Sequence, residues 1–343
     1  MLNRVAPAAF LLALLGASAA AGAPDDAMFT KPGKIFRASD GAKLNFYCTG
    51  TGSPTVVLDA AFDWAPVWSV VQPRISTFTR VCSYDRAGLG FSGAPPGPLT
   101  IDRIATELHS ALEAGGIPGP YILVGTGWGG NHVRAFADLF PADVAGLVLA
   151  DAEASDVDTP QNRAADDNRV LSFLPRIAAC RAAIAAGDAN PMVSAAPGRP
   201  PRDCRAGFFR GFPEEEWSPE LNASVRAIGG RKLETWDSNL SEAQNMPATE
   251  TWLQEHSRTL GRTPVRILTS GHHAVHHRDK PPPMSLEQLK YEYDRALAQS
   301  HWTTLSSDAK QVFVTNSSAY IMFDQPAVLA QAVREIFDSS SRR

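Results

Sequence analysis

A chain of 343 residues, 44% hydrophobic and 20% charged, is long enough for one large core or a core with a sizeable insertion, and has an ordinary globular composition. Its 32 basic and 36 acidic residues give a net charge of −4 with no basic run, which argues against nucleic acid as a partner because phosphate binding needs a clustered positive patch. Four cysteines are too few for a disulfide scaffold and enough for two bridges.

The N-terminal segment has the layout of a secretory signal peptide over residues 1–23. Arg4 supplies a positive start, Val5 to Ala21 carries no charge, and the stretch ends in small residues from Ala17 to Ala23. Cleavage is expected near residues 19–23. The alternative is an uncleaved membrane anchor, but the leucine-rich centre Phe10 to Leu15 is short of the ~20 apolar residues that a span needs. The expected location is therefore secreted or periplasmic, with membrane contact only if this segment stays attached. In an oxidising compartment Cys48, Cys82, Cys180 and Cys204 are expected to pair, in any of three connectivities.

Along the chain, Lys34 to Ala38 and Lys43 to Cys48 read as strands around the turn Ser39-Asp40-Gly41. Thr55 to Leu58 is a short apolar strand, Trp68 to Phe78 a helix, and Val81 to Tyr84 a strand. Ile101 to Gly115 places Ile101, Ile104, Ala105, Leu108 and Leu112 at helical spacing. Tyr121 to Val124 is a strand, Trp128 to Phe140 a helix, and Val144 to Leu149 a strand. The rhythm stops at about residue 155 and returns with strand Val265 to Thr269, helix Leu286 to Gln299, strand Val312 to Thr315 and helix Ala327 to Phe337. Apolar strands separated by helices imply an α/β fold, a mostly parallel sheet covered on both faces. The expected organisation is a core domain over 24–154 and 261–343, interrupted by a helical insertion over 155–260.

Tyr121 to Gly130, YILVGTGWGG, is an apolar strand, a glycine-spaced turn and a helix start. Upstream stands Tyr84-Asp85-Arg86-Ala87-Gly88-Leu89-Gly90-Phe91-Ser92, and downstream Phe140-Pro141-Ala142-Asp143 leads into the strand Val144 to Leu149. Together these motifs resemble the α/β-hydrolase superfamily: the first its nucleophile elbow G-x-S-x-G with Gly127 at the serine position, the second its Y-D-R-x-G-x-G-x-S segment. The resemblance covers about residues 33–155 and 262–338. A dinucleotide-binding loop would want an acidic residue ~20 positions on at a strand end, which Asp143 and Asp151 do not supply. The resemblance implies an α/β-hydrolase fold of about eight strands with the insertion as a helical cap. It also favours the bridges Cys48–Cys82, on neighbouring strands, and Cys180–Cys204, within the cap.

The resemblance further places the other triad members. Asn316 to Pro326 resembles the family's G-H-x-x-x-x-D-x-P, with Ala319 at the histidine position. Thr269-Ser270-Gly271-His272-His273 meets the T-x-G-x-D pattern, with His273 where the acid is expected and Asp279 as a substitute further on. Acyl transfer needs a hydroxyl nucleophile, a base and an orienting carboxylate, so none of the three catalytic positions Gly127, His273 and Ala319 is intact. Glycine also relieves the strain of the elbow. The backbone donors of an oxyanion hole fall at Trp128 and in the Ala60-Ala61-Phe62 loop, with Ala61 and Phe62 as candidates. A ligand carbonyl or carboxylate can thus be held there without being cleaved.

His272, His273, His276 and His277 lie within six residues. On a helix, His272/His276 and His273/His277 would share faces at a spacing usable by zinc; a solvated loop is the plainer reading, since the segment follows a strand and precedes prolines. No cofactor is implied. His132 reads as a packed or surface histidine, Asp85 and Ser92 as structural, Glu214 to Glu216 as a solvated helix start, and Asp151 as an acid at a strand end with no histidine to orient. Tryptophans 217, 236 and 252 are expected in the cap's own core. Three functions follow as expectations: a catalytically inactive hydrolase homologue binding a small apolar or ester-like molecule, a working esterase-like hydrolase with displaced or metal-dependent groups, or an interaction protein with a vestigial pocket.

Overall fold

The inner strands of the central sheet are built largely from residues that are apolar and buried on both faces. In β5 (Tyr121–Thr126) Tyr121 and Leu123 enter one hydrophobic cluster while Ile122 and Val124 enter the other, as the two-residue period of a strand requires. A computed structural model describes residues 26–155, 174–194, 200–204, 214–273 and 283–340. The expected signal peptide, His276, His277 and Asp279 lie outside these residues. The sheet contains β1 (Lys34–Arg37), β2 (Lys43–Thr49), β3 (Thr55–Asp59), β4 (Val81–Asp85), β5, β6 (Val144–Ala150), β9 (Val265–Ser270) and β10 (Ala309–Val314). Their order is β1-β2-β4-β3-β5-β6-β9-β10. Strand β2 runs antiparallel to both its neighbours, and all the pairings from β4 to β10 are parallel.

One face is covered by α2 (Ile101–Ala114) and α3 (Gly129–Leu139), the other by α1 (Gln72–Ser76) and α9 (Pro326–Ser340). Where the sequence suggests one helix from Trp68 to Phe78, there is a 3-10 turn over Ala65–Trp68 and then the short α1. Pro73 lacks the N–H that a continuous helix would need and sits in the first turn of α1 instead. Strand β10 starts three residues earlier than its apolar run, because Lys310 and Gln311 are tolerated at the sheet's edge.

Strands β6 and β9 are direct neighbours, so residues 151–264 form one long excursion between them. Its described part holds α4 (174–185), the two-residue strands β7 (Met192–Val193) and β8 (Arg202–Asp203), α5 (Pro219–Arg231) and α6 (Leu233–His256). Cys48 and Cys82 face each other across β2 and β4 and are disulfide-bonded; Cys180 on α4 bonds Cys204 just past β8. The tryptophans of the excursion separate. Trp236 does pack in its core with Ile177, Cys180, Cys204 and Met246. Trp217, however, enters the sheet cluster and its Nε1 donates to Ser69 Oγ at 3.2 Å, while Trp252 leans on the opposite cluster. Among the described residues, no helix is long and apolar enough to cross a membrane.

Candidate active site and a buried charge network

The turn joining β5 to α3 has Gly127 at its apex with φ of +53°, the left-handed region that disfavours a Cβ. The glycines around it are held by close approach rather than by dihedral. A Cβ at Gly125 would lie 2.3 Å from the Gly129 carbonyl oxygen, and one at Gly130 2.3 Å from the Ala152 Cβ. At Gly127 a Cβ would meet no atom of the described residues within 4 Å. The apex therefore opens into space, where the family's nucleophile side chain would stand. Gly127→Ala is accordingly expected to cost only about 1 kcal/mol, the left-handed penalty alone, whereas Gly125→Ala should cost about 3 kcal/mol or more because it meets backbone. Urea denaturation of the two variants separates the cases.

Two non-glycine residues among those described have positive φ, Ala61 at +55° and Asp151 at +47°. They follow β3 and β6, on either side of β5, so both flank the elbow. Such conformations cost on the order of 1–3 kcal/mol each and persist where surrounding contacts over-determine them. The Ala61 N–H donates to Asp59 Oδ1 at 3.0 Å, so this expected oxyanion donor is already engaged. The Trp128 N–H has no acceptor among the described residues. The Trp128 and Phe62 side chains pack with Trp236 and Met246 of the excursion.

Asp151 does have a histidine, contrary to the sequence reading. Its Oδ2 lies 2.6 Å from His273 Nδ1, its Oδ1 accepts from the Ser270 N–H at 3.0 Å, and the Arg295 guanidinium, from α7 (Leu286–Ser300), bonds the same oxygen. Because β6 and β9 adjoin, residues just past their ends meet. His273, at the family's acid position, is therefore the histidine of an Asp–His pair. Burial opposes ionisation of Asp151, but Arg295 and His273 hold its carboxyl well below the usual range. Glu153 just beyond donates its N–H to the Gly127 carbonyl at 3.0 Å, which keeps this pair beside the elbow.

Ala319 follows β10 in a loop fixed by Asp324, whose Oδ2 accepts from the Ser318 N–H at 2.6 Å. The His272 N–H donates to the Ser317 carbonyl at 3.1 Å, tying the loops after β9 and β10 together. Among the described residues no group of three or more His, Cys, Asp or Glu is arranged to hold a metal ion.

A second cluster, which the sequence reading missed, lies under α6. His132 on α3 places Nδ1 2.9 Å from Asp59 Oδ1 and Nε2 2.9 Å from Glu242 Oε1. Arg86 Nη2 donates to Glu242 Oε2 at 2.6 Å and its Nη1 lies 3.8 Å from Asp59 Oδ1, while the Tyr84 hydroxyl donates to Asp59 Oδ2 at 2.5 Å. All five residues are buried. An imidazole with both nitrogens against carboxylates can donate to both only as imidazolium. Burial pushes the His132 pKa down, but Asp59 and Glu242 outweigh it and raise it above the usual value. Thus His132 is packed, as expected, but charged. The available sequence signal was Asp59, a carboxylate ending an otherwise apolar strand.

The Y-D-R-x-G-x-G-x-S segment is explained by the same geometry. Tyr84 and Arg86 serve this network. Asp85 accepts from the Ala65 and Phe91 N–H groups (both 3.0 Å) and from Asn45 Nδ2 (2.8 Å), and Ser92 Oγ donates to the Asp85 carbonyl at 2.6 Å. Gly88, at φ +83°, admits Ser238 of α6 into contact.

A mostly parallel eight-stranded sheet with β2 reversed, a left-handed turn after β5 and a long excursion after β6 define the class: this chain is an α/β-hydrolase-fold protein. The family model described as "alpha/beta hydrolase fold" matches residues 56–188. An uncharacterized protein of Schizosaccharomyces pombe is 38% identical over 82 residues, 24% of this chain and 15% of that one. The matched stretches span 15%, 43% and 15% of the first curated relatives. Among solved structures, Cfl2 of Burkholderia cenocepacia superposes with a TM-score of 0.63 at 18% identity, over 90% of this chain and 97% of that chain. A thermophilic esterase from Thermogutta terrifontis gives 0.57 at 20%, over 90% and 99%.

Proposed function

We propose that this chain is an exported α/β-hydrolase-fold protein that has lost acyl-enzyme chemistry and holds a small apolar or ester-like molecule above the elbow. The observation that carries the reading is Gly127: the apex has no nucleophile and opens into space, in a frame whose costly backbone at Ala61 and Asp151 persists. Ala319 has no proton acceptor for the base position. The Trp128 N–H supports a carbonyl or carboxylate contact, and the resemblance to an esterase structure supports the ligand class. Two disulfides support export.

The test is hydrolysis of p-nitrophenyl acetate and butyrate by the purified mature chain, with and without chelator. It is paired with titration of butyrate and a non-hydrolysable butyl ketone, followed by tryptophan fluorescence. Saturable binding without turnover is the expected result. Turnover well above buffer would overturn the loss of catalysis, and absence of binding would overturn the ligand site.

A second reading is favoured by one observation, the buried Asp151–His273 pair beside the elbow. There, water in the space over Gly127 attacks an ester carbonyl, His273 takes its proton and returns it to the departing alcohol, and no covalent intermediate forms. This reading expects chelator-insensitive turnover that His273→Gln reduces by about 10²-fold or more. Unchanged turnover in that variant would remove it.

A further inference from the structure

Helix α7 turns mainly polar groups inward beside the small Ala298: Arg295 bonds Asp151, while Gln299 donates to the Ala152 carbonyl at 2.7 Å and accepts from Thr269 Oγ1 at 2.5 Å. Its outward stripe is apolar, with Leu286, Leu289, Tyr293 and Leu297 exposed at 86%, 49%, 66% and 47%. Their spacing of three, four and four residues puts them on one helical face.

Strand β10, the edge of the sheet, adds Phe313 at 60% exposure. Gln311 Nε2 donates to the Ala296 carbonyl at 3.0 Å, so this side of β10 faces α7. Phe313 is two residues further on, ~6.6 Å along the strand, or about four helical residues back along the returning helix. It therefore stands level with the middle of the stripe. Among the described residues, five of the nine exposed large hydrophobic side chains lie on this stripe of α7 and the adjoining side of β10, Val312 pointing to the other face of the strand. A surface so concentrated marks an interface.

We propose that this surface is a two-fold interface with a second copy of the chain, formed by antiparallel packing of α7 on α7. The argument for a copy rather than another partner is the pattern's symmetry. The midpoints of Leu286/Leu297, Leu289/Tyr293 and the oppositely charged Lys290/Asp294 all fall at residues 291–292. A two-fold axis there sets Leu286 against Leu297 and Leu289 against Tyr293, and brings Lys290 of each copy to Asp294 of the other, the self-complementarity that an isologous contact requires. Lys290 and Asp294 pair with each other along the helix, so both already lie on the same side of it. The proposal is independent of what the elbow binds.

The test is sedimentation velocity of the natural mature chain and four variants over about 1–100 µM, a range that resolves micromolar association. The natural chain is expected to be dimeric, and Leu289→Glu/Leu297→Glu monomeric with an unchanged circular dichroism spectrum. Lys290→Asp alone and Asp294→Lys alone should each weaken dimerisation about tenfold, since each loses both symmetry-related ion pairs. The double reversal Lys290→Asp/Asp294→Lys should restore the dimer to within about threefold. A natural chain that stays monomeric throughout overturns the interface. A dimer that survives the leucine variant overturns its location, and failure of the double reversal to restore it overturns the antiparallel register.

Discussion

Arg86→Met is expected to destabilise the protein by about 3–5 kcal/mol, the cost of leaving a buried charge unpaired. In the native chain the network balances: Asp59 and Glu242 are countered by Arg86 and the His132 imidazolium. Without Arg86, one negative charge remains unbalanced and buried between α3, β3 and α6. The double variant Arg86→Met/Glu242→Gln removes one charge of each sign and leaves Asp59 paired with His132, so its loss should be well below the sum of the single effects. Urea denaturation of the four members of the cycle measures this. A strictly additive result would show that Arg86 and Glu242 do not act together. Because Glu242 is the network's member on the excursion, Glu242→Gln should also loosen α6 selectively, seen as faster amide exchange there than in β5.

The same network sets a pH window. His132 has a raised folded pKa, so its contribution is fully present below the unfolded value of about 6.5 and is lost as pH rises through the folded value. Burial opposes Asp59 ionisation, yet His132, Arg86 and Tyr84 lower its pKa to about 2. Its contribution is present above the unfolded value of about 3.9 and is lost as pH falls toward 2. The melting temperature should therefore be highest between about pH 4 and 6.5 as far as these groups decide it, and His132→Gln should flatten the alkaline limb. An alkaline limb of unchanged slope in that variant would assign the loss to other groups.

Gly127→Ser/Ala319→His is expected to hydrolyse p-nitrophenyl butyrate about 10²–10⁴-fold faster than the natural chain, the range a positioned base contributes, while Gly127→Ser alone gains little. The serine has room, because a Cβ at 127 meets no atom of the described residues within 4 Å, and its left-handed backbone costs on the order of 1 kcal/mol, which the fold can bear. The histidine enters a loop already fixed by Asp324. Folded double variants without activity would show that position 319 does not face the apex. Activity that additionally collapses on Asp151→Asn would identify Asp151 as the orienting carboxylate, in place of the expected position after β9.

Much of this protein was legible in its sequence because the signals were local. Apolar strands of four to seven residues, helical spacing in α2 and the glycine frame around position 127 gave the α/β-hydrolase fold and the place of its elbow. Motif resemblance also gave both cysteine pairings. What escaped were contacts between residues far apart in the chain. Asp151 looked unpartnered because its histidine is 122 positions away, and His132 looked bland because Asp59 and Glu242 stand 73 and 110 positions from it. Likewise, the helical spacing of α7 was read without knowing which face turns inward.

The sequence by itself determined that glycine stands at 127 and alanine at 319, and the motif resemblance alone implied which catalytic groups those positions would otherwise hold. Only the tertiary structure decided which charges meet. Ionisable groups find partners through the order of strands in the sheet and the descent of α6 onto α3, and burial makes losing any one partner cost about 3–5 kcal/mol where at the surface it would cost little.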